Sequence, residues 1–224
     1  MSTSRKPKRR LWLPAVVLTL VACALVRTGH FSRSDAPPSG GTPVSRPSSP
    51  AAPAAPSASG TSAAYDPAAY ASEVRTQAGR AGVSARLLMA ILCNEAYKPH
   101  DPAFERAWQK YKPDAAFGIA NMHRATFDQV KKGRDFADRR WSELPDDRSL
   151  AIEAAAWYLH DLRTQLPAHR TGSLSEDELL ALGYNTGAGN MLAFARGVRP
   201  GSQARSYLDK LHANWSKAEE AVAR

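Results

Sequence analysis

Cysteine is almost missing from this chain: two in 224 residues, Cys23 and Cys93. Cys23 lies in an N-terminal apolar run and Cys93 inside a helical pattern, so the two build no disulfide framework. Neither belongs to a Cys/His spacing that holds a metal, and no metal or cofactor is expected. Period-two alternation is missing too. No stretch alternates apolar and polar residues over a useful length, which argues against a sheet-based fold. There is no internal repeat. A basic excess is missing from most of the chain as well. The formal charge is +9, yet residues 1–60 hold eight basic residues against the single acid Asp35, which leaves 22 basic against 20 acidic over residues 61–224. A main domain so close to neutral is no nucleic-acid binder.

The N-terminal charge has its own meaning. Residues 1–10 carry five positive charges and no acid, and residues 11–26 are apolar apart from Thr19. This is a basic n-region followed by an export-signal core. At 1.5 Å per residue the run reaches ~24 Å, slightly short of a ~30 Å bilayer core. It reads first as a single-pass signal anchor with its basic end inside. Cleavage after Ala24 and a lipoprotein signal ending at Cys23 are the alternatives. All three place the remainder outside the cytoplasm. Residues 27–64 read as a linker. Within it, residues 35–64 hold seven Pro and seven Ser and nothing apolar bulkier than Val44. Such a segment cannot offset the entropy of ordering and is expected to be disordered. Extended, its 30 residues span about 90 Å at 3.1 Å each, enough to hold a domain off a membrane and within a wall layer.

Residues 65–224 are long enough for one core, and their pattern is helical throughout. Asp66-Pro67 opens a helix to about Ala81, with Gly82 as its stop. Asp101-Pro102 opens a short one through Phe104, Ala107, Trp108 and Tyr111. Residues 112–123 read as loop, and residues 124–132 as a helix stopped by Gly133. Pro145-Asp146 opens a long helix ending before Pro167. Ser175 with Glu178 forms a capping box ahead of Leu179, Leu180 and Leu182. Helices over 188–196 and 202–215 follow. The expected fold class is all-α.

The central stretch is the helix opened by Ser84 as N-cap and closed by Pro99. Leu87, Leu88, Ile91 and Leu92 make one apolar stripe. Glu95 lies four residues after Ile91 and seven after Leu88, so it falls on that stripe. Burial there disfavours the charged form, and a carboxyl kept protonated is what a general acid needs. The plainer alternative is a glutamate at a fraying helix end with its head in water. Cys93 reads as a small buried hydrophobe, since no base pattern supports a nucleophile. Trp108, Trp141, Trp157 and Trp215 read as core or edge packing. His100, Asp101 and His123 read as surface or supporting residues. Asp101 and Asp114 are the acids that could approach Glu95 as a second carboxylate.

Three segments in this order resemble the lytic transglycosylase SLT domain family, a goose-type-lysozyme-like fold. They are LLMAILCNEAYKP ending the central helix, FGIANMHRAT at 117–126, and GYNTGAGN at 183–190. The helix ending AAAWYLHDL and the QARSYLDKL helix with Tyr207 resemble further parts of that family. The resemblance spans residues 83–211. It implies a lysozyme-like helical domain behind the membrane segment and linker. The implied activity is cleavage of the β-1,4 bond from N-acetylmuramic acid to N-acetylglucosamine in peptidoglycan, with Glu95 as acid/base and 1,6-anhydro products. The implied substrate-binding residues are Gly118, Asn121, Tyr184, Asn185, Gly187 and Tyr207, with peptidoglycan glycan strands as the partner. Gly118 would let the backbone approach a sugar ring. Asn121, in the place of the family's Gln, would bond substrate amides or hydroxyls. The Tyr184 hydroxyl would reach the catalytic carboxyl, Asn185 would hold the loop or an N-acetyl group, and Gly187 with Gly189 would give the loop its freedom. Tyr97 and Phe117 could stack on sugars, and the extra segment at 100–114 could roof the groove. Ala96 stands where the family has Ser. The rival readings are a non-catalytic wall-glycan-binding module and a goose-type-like muramidase hydrolase.

Overall fold

Capping residues set most helix ends where the sequence places them. In the computed structural model, which describes residues 65–97 and 100–224, Asp66 accepts the Ala68 N–H and opens a 3₁₀ turn, Pro67–Tyr70, that runs into α1, Ala71–Ala81. Gly82, at a left-handed φ of 67°, ends α1. Ser84 Oγ accepts the Leu87 N–H at 3.1 Å and starts α2, Ala85–Glu95. Asp101 caps α3, Pro102–Gln109. After α4, Arg124–Val130, a second 3₁₀ turn at Trp141–Glu143 leads into α5, Arg148–Gln165. Asp147 is the cap of α5, two residues beyond the expected opening, because Asp146 and Asp147 first fold their N–H groups back onto the Glu143 carbonyl. The Ser175–Glu178 capping box opens α6, Glu176–Thr186. Gly187 separates it from α7, Ala188–Ala195, and α8 runs over Ser202–Ala223, eight residues past its expected end.

The expected all-α class holds: among the described residues there is no strand, only an isolated antiparallel bridge between Phe117 and Met122. No helix among them is long and apolar enough to cross a membrane. The basic n-region, apolar run and linker expected over residues 1–64 lie outside the described residues.

α2 is the axis of the domain. Leu87, Leu88, Met89, Ala90, Ile91 and Leu92 are all fully buried, so this helix is enclosed on every side rather than along the one stripe expected. It packs chiefly against α8 and also meets α1 and α6; α1 lies on α5, and α6 on α7 and α8. Each leucine so enclosed contributes about 1.5–3 kcal/mol through burial. An enclosed helix that ends in two polar residues, Asn94 and Glu95, carries them into the core boundary with it: they are 6 % and 8 % exposed. The tryptophans divide. Trp141 is buried, Trp157 and Trp215 are half-buried under Arg134 and Arg86, and Trp108 is an edge residue stacked on Phe104.

Packing and capping therefore make separable contributions. Leu88→Ala is expected to lower unfolding stability by about 2–5 kcal/mol, and Ser175→Ala by roughly 1 kcal/mol. Urea titration of the two variants checks both; equal losses would contradict the placement of α2 at the centre.

Candidate active site

Glu95 closes α2, and two distant segments reach its carboxylate. Asn121 Nδ2 donates to Oε2 at 2.9 Å, and the Tyr207 hydroxyl donates to Oε1 at 3.1 Å. Burial favours the neutral carboxyl, whereas these donors favour the carboxylate.

Asn121 is delivered by a tight turn. Phe117 and Met122 exchange N–H···O bonds at 3.1 and 3.0 Å, and the Asn121 N–H returns to the Gly118 carbonyl at 2.9 Å. The turn needs left-handed backbone at both Gly118, φ 67°, and Asn121, φ 48°. Asparagine tolerates that region better than most residues. At Gly118 the demand is stricter: a Cβ there would lie 2.7 Å from the Leu144 carbonyl oxygen. The close approach is thus to Leu144 on the inner side. Phe117 is 1 % exposed and stacks on Trp141 at 4.3 Å, while Trp141 Nε1 donates to the Met122 carbonyl. Phe117 is therefore an anchor of the turn and is closed to sugars, against expectation. Tyr97 is 67 % exposed.

Tyr207 comes from the second turn of α8. Burial and the neighbouring Glu95 charge hold its hydroxyl well above the usual tyrosine range, so it remains a donor. An amide relay fixes α8 against α2: Asn214 Nδ2 donates to Asn94 Oδ1, and Asn94 Nδ2 donates to the Tyr207 carbonyl. Asn94 and Asn214 carried no sequence expectation. The adjacency of Asn94 to Glu95 on a buried helix was the available signal.

Tyr184 differs from expectation. Its hydroxyl donates to the Ala120 carbonyl at 2.6 Å, so it braces the turn beside Asn121; the tyrosine hydroxyl on the carboxylate is that of Tyr207. Burial and then the Glu95 charge also push the Tyr184 hydroxyl up. Asn185 is exposed and lines an open groove of about 560 Å³ with Thr186, Asn190, Gln203, Ser206, Tyr207 and Lys210. Tyr207 joins that groove to the carboxylate. Gly187, φ 88°, makes the α6–α7 joint, whereas Gly189 lies inside α7 with open space where a Cβ would be. Only the first of the two is needed for the loop.

The remaining candidates are committed elsewhere. Asp101 accepts the Phe104 N–H as the cap of α3, and Asp114 is exposed, its carbonyl accepting from His123 Nδ1. The acid that does enter this region is one the sequence reading passed over. Glu105, 6 % exposed, accepts the Gly118 N–H at 2.8 Å and pairs with His100, which is buried and not at the surface. Segment 100–114 thus holds α3, which buries Glu105 alone and leaves Phe104 and Trp108 exposed, as is Tyr111 just beyond it. Cys93 is half-buried, and burial pushes its thiol up, away from the reactive thiolate. Among the described residues no three His, Cys, Asp or Glu gather where a metal ion could sit.

The two glycines of opposite geometry give a direct test. Gly118→Ala is expected to cost about 1–3 kcal/mol of stability, from left-handed backbone and the Leu144 contact together. Gly189→Ala is expected to gain up to about 1 kcal/mol. Chemical denaturation should separate them by sign, and a tolerated Gly118→Ala would contradict the turn. Compared with known proteins, the chain matches no family model, no curated protein and no solved structure.

Proposed function

We propose that this chain is a peptidoglycan lytic transglycosylase, with a lysozyme-like helical domain and Glu95 as its single acid/base. The observation that carries the reading is one glutamate at the end of a buried helix, contacted by Asn121 and Tyr207, while the neighbouring acids Asp101 and Glu105 are committed to a helix cap and to His100 with Gly118. The motif resemblance supplies the substrate class. The n-region, apolar run and linker support an anchored enzyme working outside the cytoplasm.

Ordinary glycosidases use two carboxyl groups, and substrate assistance is the recognised departure from that rule. Here Glu95 gives its proton to the glycosidic oxygen as the bond breaks. The muramic N-acetyl group covers the electron-poor anomeric carbon. Glu95, now a carboxylate bonded by Asn121 and Tyr207, takes the proton of the 6-hydroxyl as that oxygen closes the anhydro ring. No water enters, and Glu95 ends protonated, as it began. The attack is intramolecular, so holding the ring in place contributes much of the rate. The groove from Asn185 to Lys210 supplies amides and hydroxyls of the kind that hold a glycan strand.

Glu95→Gln keeps the size and a hydrogen-bonding head but cannot cycle the proton. Wall cleavage is expected to fall by at least about 10²–10⁴-fold with the thermal midpoint nearly unchanged. Mass spectrometry of the digest should show muropeptides lighter by one water than hydrolysis products, with no new reducing ends. Reducing ends would favour the muramidase reading instead. A wild type that binds wall without cleaving it would favour the binding module.

A further inference from the structure

His100 lies directly behind Glu95, at 3 % exposure. Its Nε2 is 3.0 Å from the Glu95 carbonyl oxygen, and its Nδ1 is 3.1 Å from Glu105 Oε1. The other Glu105 oxygen accepts the Gly118 N–H. The Glu95 carbonyl can only accept, so Nε2 carries a hydrogen. A neutral imidazole has one N–H and one lone pair, and cannot serve acceptors on both sides. Both contacts are satisfied when one additional proton lies between Nδ1 and Oε1, on either atom. With the two side chains 1 % and 8 % exposed, solvent has little room to supply a substitute.

We propose that His100 and Glu105 form one positioning unit, sharing a single proton, that holds the Asn121 turn against the Glu95 end of α2. The bonds close a ring. They run from the Glu95 carbonyl through the His100 imidazole and the Glu105 carboxyl to Gly118, then along the turn to Asn121, which donates to the Glu95 carboxylate. Neither side chain is placed on the scissile bond. The shared proton follows from the hydrogen-bond geometry, and what the unit is for rests on the proposed function.

Among the described residues, the groups around His100 are few. Tyr65, preceding the first 3₁₀ turn, sets its ring edge-on at 5.1 Å, and burial raises its hydroxyl far above the usual range, so it stays neutral. Arg148 of α5 lies over the Tyr65 ring, 5.5 Å from its centroid. Asp101 turns to the α3 backbone. From α2 the facing group is the Glu95 carbonyl, and from α3 it is Glu105, the carboxylate paired with His100.

Glu105→Gln separates this unit from ordinary packing. An amide oxygen in the place of Oε2 still accepts the Gly118 N–H. The amide nitrogen in the place of Oε1 donates to Nδ1 of a neutral ring, whose Nε2–H still serves Glu95. The variant thus needs no additional proton. In the full chain, proton NMR is expected to show a far-downfield resonance from the proton between Nδ1 and Oε1 in the wild type and none in Glu105→Gln. Glu105→Ala, which can make neither bond, should lose about 100-fold in kcat, the scale of a ~1 Å misplacement, and Glu105→Gln should rescue most of that loss. A wild type without the resonance, or wild-type turnover by Glu105→Ala, would overturn the proposal. If the wild type cleaves no wall, the proposed function falls, and the resonance still decides the shared proton.

Discussion

A carboxyl group at the end of a buried helix must be given hydrogen bonds, and much of this domain is arranged to give them. α2 is enclosed on every side, so Glu95 cannot turn its head freely into water. One donor arrives from a turn 26 residues downstream and another from a helix 112 residues downstream. Each of these must itself be held. The turn is held from below by Trp141, from the side by Tyr184 and from the front by Glu105. α8 is held by the Asn94–Asn214 relay. A bond to a charged group contributes more than a neutral one, and leaving such a group unpaired costs more still. The supports are therefore coupled: loosening one exposes the carboxyl to the penalty that all of them prevent.

What was legible in the sequence is what depends on neighbours along the chain. Ser84, Asp101, Ser175 and Gly82 announced helix ends because capping acts within a few residues. The position of Glu95 on the apolar stripe was legible for the same reason. What was hidden is what depends on register between distant elements. Tyr184 and Tyr207 both belonged to segments expected near the carboxyl, and each had a hydroxyl able to reach it. Which one does so is set by how α6 and α8 seat on α2, and local pattern carries no information on that. Phe117 was hidden for a related reason. A ring beside a motif looks available until Trp141, which carries no local link to it, is found stacked on its face.

Glu105 shows a third kind of limit. α3 reads as an ordinary amphipathic helix, with Phe104, Ala107, Trp108 and Tyr111 as its apolar side. The usual expectation is that such a side faces the core. Here the helix buries Glu105 and leaves the large rings exposed. The reversal has a physical reason. The surface beneath α3 is polar, presenting the Gly118 N–H and the His100 ring, and a carboxylate meets those groups where a phenyl ring would leave them unpaired. Polar demand at the site outweighs the apolar pattern of an eight-residue helix.

The same reasoning bears on the asparagine at 121, where the resembled family has glutamine. The turn fixes this residue at φ 48°, and the left-handed region is strained for most side chains but mild for asparagine. A shorter side chain also has fewer rotamers to lose when it is fixed against a carboxylate. With the backbone already curled toward Glu95, the reach of one methylene is not needed, and Nδ2 sits at 2.9 Å. The turn is in turn made affordable by Gly118, which alone tolerates the approach to Leu144. A departure that looks like a weakened contact when read one residue at a time is thus consistent with the local backbone. The residue and the turn that carries it have to be read together.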